Sequence, residues 1–244
     1  MDASFRQFIF VKGFTGYMGR VEKLVLDKQR TGLAILDMPA GNGLLAQRLR
    51  QHGHRVTCAD MNSQRPEYVF VNMEKPLPFD DSSFDAVISL EGIEHVVEPH
   101  TLIKEICRVL KPDGFVVLSL PNVQSLHCRL KFLFSGTFYQ FEPEGHRHTG
   151  GSLLDRGHVS PLSLVRLNYI FGEFGLVPEA ATGDRIKRKI LFPLYAPLLV
   201  FNAMVLWLRR RRYASQPEVT HLYGLLAGLR PMLSRSLITV CRRA

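Results

Sequence analysis

Ala34-Ile-Leu-Asp-Met-Pro-Ala-Gly-Asn-Gly-Leu44 constrains this chain more than any other stretch. A short apolar run ends in an acid, Asp37, and a small-residue turn built on Gly41 and Gly43 follows at once. Leu44 to Leu49 then reads as the start of a helix. Glycines let backbone approach a ligand, and the first helical turn offers N–H groups with no partner inside the helix. The position of the acid narrows the choice of ligand. A G-x-G-x-x-G loop aims its helix at a pyrophosphate, and a carboxylate just before the loop would repel that phosphate. It suits a ligand carrying an ammonium group. The bland alternative is a strand–turn–helix corner that binds nothing.

The rest of the chain continues the alternation. Tyr17 to Gln29 has helical spacing, with Val21, Leu24, Val25 and Lys28 on one face. Gly43 to Gln51 is the next helix, with Gly53 as its cap. Arg55 to Asp60 is a second strand ending in an acid, a place from which a doubly wound sheet contacts ribose hydroxyls. Glu67 to Val71 is a short third strand. Pro99 opens a helix whose stripe is Leu102, Ile103, Ile106, Val109 and Leu110, stopped by Lys111-Pro-Asp-Gly114. Phe115 to Leu120 is uniformly apolar, as a central parallel strand should be. Ser125 to Phe134 is a basic amphipathic helix, and Ser160-Pro161 reads as the cap of a helix from Leu162 to Phe174. Leu176 to Ala181 and Ser236 to Cys241 complete the strands.

At Asp37-Met38-Pro39-Ala40-Gly41-Asn42-Gly43 the sequence resembles the class I S-adenosylmethionine-dependent methyltransferases, with a domain of the methyltransferase type 11 kind. Their first motif is an acid, an apolar residue and G-x-G-x-G, and Pro39 stands here in place of the first glycine. Leu77-Pro-Phe-Asp-Asp-Ser-Ser-Phe-Asp85-Ala-Val-Ile-Ser89 resembles the family's third motif and fourth strand. The likeness has good register from about residue 30 to 125 and is weak beyond. It implies S-adenosylmethionine as cofactor and a pocket lined by Asp37, Ala40, Gly41, Gly43, Asp60, Met61, Asn72, Met73 and Leu90. Asn72 stands where the family often has an Asp that contacts the adenine amino group, and its amide oxygen can accept the same bond. The implied fold is α/β, a doubly wound, Rossmann-like, seven-stranded and mostly parallel sheet with an antiparallel last strand. Residues 31–183 and 231–244 would form that domain, after a leading segment, residues 1–30, with apolar Phe5, Phe8, Ile9, Phe10 and Val11.

Transfer of a methyl group to an O–H acceptor needs a base, and histidine is the usual one at neutral pH. His95, after the fourth strand, and His158, after a polar Gly- and His-rich segment with His146 and His148, are the candidates. A surface or structural role is the alternative for each. The histidines lack carboxylates at ligand spacing, so no metal site is expected. Cys58, Cys107, Cys128 and Cys241 form no C-x-x-C pair, which points to a reducing, cytoplasmic setting without disulfides or zinc.

The formal net charge is +9, and much of it gathers late in the chain. Within a C-terminal insertion, residues 184–230, Arg185, Lys187, Arg188 and Lys189 precede an apolar stretch from Ile190 to Leu208, and Arg209 to Arg212 follow it. The stretch approaches the ~20 residues that span a bilayer, but Pro193 and Pro197 break it and the last strand must return to the sheet. Basic groups flanking an apolar segment suit a helix lying on an anionic membrane surface. An intradomain helix or a dimer contact is the alternative. Nucleic acid ranks below both, because the arginines abut apolar residues rather than interleaved aromatics. The expected activity is methyl transfer to a small or lipid-linked acceptor; the setting in cell-surface glycan or lipid metabolism is implied only by the resemblance of Ser119-Leu-Pro-Asn122 and the basic amphipathic helix to such enzymes. The rival is a non-catalytic module that keeps the fold and binds S-adenosylmethionine.

Overall fold

The computed structural model describes residues 13–61, 65–141, 157–186 and 192–244. Phe5, Phe8, Ile9, Phe10, Val11, His146, His148, Lys187, Arg188, Lys189 and Ile190 lie outside them. Seven strands form one sheet: β1 (Ala34–Asp37), β2 (Arg55–Asp60), β3 (Val69–Phe70), β4 (Phe84–Leu90), β5 (Leu110–Pro121), β6 (Leu176–Gly183) and β7 (Ser236–Arg243). Their order is β3-β2-β1-β4-β5-β7-β6. The pairs from β3 to β5 are parallel, and β7 runs antiparallel between β5 and β6. This is the doubly wound sheet expected, with its reversed last strand.

Alternation along the strands builds two cores. Leu36, Val87, Val116, Leu118 and Leu237 point to one face, where α3 (Pro99–Val109) and α5 (Leu164–Glu173) bury Leu102, Ile106, Leu167 and Phe171. Ile35, Ala86, Ile88, Val117 and Ile238 point to the other, against α1 (Gly16–Leu26) and α2 (Leu44–Gln51). Truncating a fully buried residue such as Ile106 to Ala should cost about 2–5 kcal/mol. A third, smaller cluster joins Leu126 of α4 (Leu126–Ser135), Tyr195 and Leu199 of α6 (Phe192–Arg212) and Met232 of α8 (Leu229–Leu233). Helix α7 (Pro217–Leu226) packs beside β6, where His221 Nε2 lies 2.8 Å from the Pro178 carbonyl oxygen.

Several expected boundaries move, each for a physical reason. Helix α1 ends at Leu26, and Gln29 has a positive φ of 53°. Strand β3 holds only Val69 and Phe70. Ser163, not Ser160, caps α5, accepting from the Arg166 N–H. Ser160 is otherwise engaged, since its N–H donates to the Glu94 carbonyl and its hydroxyl to the Val96 carbonyl. Helix α6 runs through both prolines. Pro193 falls in its first turn, where the missing N–H has no helical partner to lose, and Pro197 forfeits a single helical bond. Among the described residues no helix is long and apolar enough to cross a membrane.

Candidate active site

The loop between β1 and α2 is pinned on both sides. Met38 N–H donates to Ile88 O on β4, and Ala40 N–H to Ala59 O on β2. Gly41 and Gly43 have φ of 53° and 71°, the left-handed region that favours glycine. Gly43 has a second reason to be glycine: the Tyr68 hydroxyl occupies the space a Cβ would need. Asn42 Oδ1 accepts from the Leu44 N–H and so satisfies a first-turn donor of α2. The Met38–Pro39 bond is cis, and Pro39 packs on Gly92 in the loop after β4.

Two carboxylates face this loop. Asp60, at the tip of β2, accepts from the Gly41 N–H at 2.8 Å. Asp37 is 2% exposed, and its Oδ2 is buried with no hydrogen-bond partner among the described residues. Burial first, then the Asp60 charge, pushes its carboxyl up to about 7, while Arg50 pulls it down. A buried acid without a partner costs free energy until a donor or cation reaches it. Asn72 follows β3, and its Oδ1 accepts from the Glu74 N–H at 2.9 Å. The carbonyl's second lone pair can still accept an amino group. Ala40, Met61, Met73 and Leu90 lie at least half-buried around the same strand ends, and Met73 approaches Gly92.

Beyond β4 the chain turns sharply. Glu91 has φ of 49°, unusual for a side chain with a Cβ, and strain of this kind is common at functional sites. Its carboxyl accepts from the Ser119 hydroxyl at 3.0 Å, and burial holds it above the usual carboxylate range. A 3-10 turn, Ile93–His95, follows. The Glu94 carbonyl accepts from both Val159 and Ser160 N–H, and this clamp brings His158 against His95 with ring centroids 4.7 Å apart. The Glu94 side chain is fully buried beside them. Ligating atoms of Glu94, His95 and His158 all lie within 4.8 Å of one another, the spacing of a cation site. That corrects the expectation that carboxylates stay away from the histidines. Glu94 adjoins His95 in sequence, and it is the fold that adds His158.

Residues 36–118 match the family model for the methyltransferase domain. Those residues form a methyltransferase domain, similar to the class I, S-adenosylmethionine-dependent kind. Similar curated proteins include a demethylmenaquinone methyltransferase from Clavibacter sepedonicus, 38% identical over 36% of this chain and 40% of that protein. Another is a ubiquinone biosynthesis O-methyltransferase from Alkalilimnicola ehrlichii, 30% identical over 47% of this chain and 52% of its own length. The alignments thus span about half or less of these relatives. Among solved structures, a possible histamine N-methyltransferase from Thermotoga maritima superposes with TM-score 0.54 at 14% identity, covering 95% of this chain and 90% of that one. A Burkholderia thailandensis N1-methyltransferase solved with S-adenosylhomocysteine gives 0.52 at 15% identity, covering 93% and 78%. A [4+2]-cyclase also gives 0.52, at 18% identity over 92% and 80%, so the fold alone does not fix the reaction.

The cofactor of this domain is S-adenosylmethionine, and the residues present fit it. An ammonium suits the buried Asp37 Oδ2, which has no hydrogen-bond partner among the described residues, and a ligand without phosphate agrees with an acid at the mouth of the loop. The resemblance implies the ribose side for Asp60 and the adenine side for Asn72. Sequence reasoning missed Tyr17, Tyr68, Glu91 and Glu94. Burial, then Glu91, pushes the Tyr17 phenol up to about 12, which places α1 against the strand ends. The run Leu90-Glu-Gly-Ile-Glu-His95 held the signal for both glutamates, since two acids closely precede a loop histidine.

Proposed function

We propose that this protein methylates an oxygen of a small, lipid-linked acceptor at a membrane surface. The observation that carries the chemistry is the His95–His158 pair beside buried Glu94, at the carboxyl ends of the strands that hold the cofactor loop. When bound, S-adenosylmethionine supplies an electrophilic methyl group on a sulfonium. The chain's residues do the rest. The loop holds the two reactants in line, which supplies much of the acceleration. One histidine would take the acceptor's hydroxyl proton as the oxygen–carbon bond forms and the methyl–sulfur bond breaks, its electron pair staying on sulfur in S-adenosylhomocysteine, and the Glu94 carboxylate would favour the imidazolium produced. The relatives' names refer to demethylmenaquinone and to ubiquinone biosynthesis, which supports an acceptor of quinone type. A glycan on a lipid carrier is a chemically distinct acceptor that also presents hydroxyls at a membrane. Calorimetry with S-adenosylhomocysteine tests the cofactor half. Micromolar binding is expected, and no binding at millimolar ligand would leave only the fold.

The surface of α6 supports the membrane half. One stripe, Tyr195 and Leu199, is buried, yet Val200, Phe201, Met204, Trp207 and Leu208 are exposed. Arg209 to Arg212 close the helix, and the Arg211 guanidinium lies 4.0 Å from the Trp207 ring centroid. Leu133 and Phe134 of α4, beside Arg129 and Lys131, add to an apolar and basic surface. Left in water, such area costs about 25 cal/mol per Å². Each arginine near an anionic leaflet gains on the order of 1 kcal/mol. The occupant we assign is the anionic leaflet, and the enzyme would sit on it without crossing. Flotation with anionic vesicles at low salt is expected, and release by high salt. A protein that stays in the pellet fraction at low salt would leave internal packing or a dimer contact instead.

A further inference from the structure

A second cavity, of about 50 Å³, opens between α4, α6 and the start of β7. At ~15 Å³ per water it holds a few waters, or one small head group. Ser125, His127, Tyr139, Tyr195 and Arg235 line it. Buried Tyr195 makes one side, and Ser125, His127 and Tyr139, from the start of α4 and the segment after it, line the same cavity as Arg235. Arg235 stands just ahead of β7, with its Nε donating to Gln140 Oε1 at 3.2 Å. Its guanidinium is close enough to the strand-end group to favour both the charged Glu91 carboxylate and the ionised Tyr17 phenol. The cavity therefore adjoins the end of the sheet where Asp37 and Glu91 sit. Its outer walls are α4 and α6, the helices whose far sides carry the exposed apolar and basic residues. A positive, hydrogen-bonding floor below two apolar helices is the profile of an amphiphile's head-group site.

We propose that this cavity is the acceptor's head-group subsite, and that Arg235, with His127 and Tyr139, selects a head group bearing an oxyanion such as phosphate or carboxylate. The proposal rests on the lipid-linked reading above and narrows it to acceptors with an anionic head group, which an unsubstituted quinone lacks. Arg235 is the specificity-determining residue: its planar, permanently charged fork suits an oxyanion and repels a quaternary ammonium. The apolar tail would leave between α4 and α6 towards the leaflet, so that an acceptor need not quit the membrane to reach the methyl donor.

The test uses the full chain and short amphiphiles below their micelle concentrations: octyl phosphate, octyl glucoside and octyltrimethylammonium, with inorganic phosphate as the tail-free arm. Binding is read by calorimetry. Octyl phosphate should bind about tenfold or more tightly than the other two amphiphiles, and than inorganic phosphate. Arg235→Gln should lose that preference and Arg235→Lys should keep part of it. Phe201→Ser/Trp207→Ser, on the exposed face of α6, should leave the ranking intact and so separates cavity binding from adsorption. Equal affinity for all three head groups, or Arg235→Gln binding octyl phosphate like the unaltered protein, would overturn the proposal. Inorganic phosphate binding as tightly as octyl phosphate would overturn the amphiphile assignment and leave a free phosphate. S-adenosylhomocysteine titrated into the same samples keeps the two readings apart. Its failure to bind, with head-group selection intact, would sink the methyl-transfer reading alone.

Discussion

His158 packs edge-on against His95, ring centroids 4.7 Å apart, with the planes at 79°. The contact exists because one carbonyl, that of Glu94, accepts from two successive N–H groups, Val159 and Ser160. If this pair moves the acceptor's proton, His95→Ala and His158→Ala should each lower kcat by about 10²–10⁴. S-adenosylhomocysteine affinity should stay within error, since neither ring belongs to the cofactor loop. Steady-state rates with calorimetry on the same preparations check this. A loss of cofactor binding that matches the loss of rate would mark the pair as structural.

Asp60 holds the loop through the Gly41 N–H, and we propose that it also accepts from the ribose hydroxyls. Asp60→Ala should weaken cofactor binding by about 1.5–3 kcal/mol, the scale of a hydrogen bond to a charged group. The orphaned Gly41 N–H should also lower the melting temperature. Unchanged affinity in calorimetry would count against the ribose role, whatever happens to stability.

Asp37 makes a pH-dependent prediction with a definite sign. Its folded value is about 7 against an ordinary 3.8, so the folded protein keeps a proton that the unfolded chain releases. Its contribution to stability is therefore greatest below about 4, declines as pH rises through 7 and is flat above. A ligand ammonium favours the carboxylate, so cofactor affinity should rise as pH climbs through 7, and binding at pH 6 should release a proton. Calorimetry at pH 6 in two buffers of different ionisation enthalpy measures that release. Asp37→Asn should abolish it. Glu91, also raised by burial, remains in that variant, so persistent release would transfer the effect to Glu91.

Gly43 and Tyr68 should behave as a coupled pair. Gly43→Ala meets both the Tyr68 hydroxyl and a φ of 71°, whereas Gly43→Ala in a Tyr68→Ala background meets the backbone strain alone. Denaturant unfolding should show the double variant losing less than the sum of the singles, with a coupling of about 0.5–3 kcal/mol. Additive losses would mean that Tyr68 can step aside without cost.

The layout of the sheet was legible because its signals are local. The apolar runs of β4 and β5, the acids ending β1 and β2 and the glycines after β1 each carry their meaning within a few residues. What the sequence hid depends on distant groups. Ser160-Pro161 has the look of a helix start, but Glu94 and Val96 claim its N–H and hydroxyl first. The two prolines of α6 read as breakers, yet their positions early in the helix make them tolerable there. The meeting of Glu94, His95 and His158 has no sequence spacing to reveal it, because it is made by one backbone clamp. Arg235 hides among many arginines, and only the fold sets it at the strand ends beside Glu91.

Methyl transfer itself is tested most directly by incubating the protein with methyl-labelled S-adenosylmethionine and a total membrane lipid extract, followed by mass analysis of the organic phase. Label should appear in an organic-soluble acceptor carrying an oxyanion head group. It should depend on the protein, and it should fall to background with His95→Ala/His158→Ala. Binding of S-adenosylhomocysteine with no label in the lipid phase or in any aqueous extract would contradict the assignment of a methyltransferase and leave a binding module with this fold.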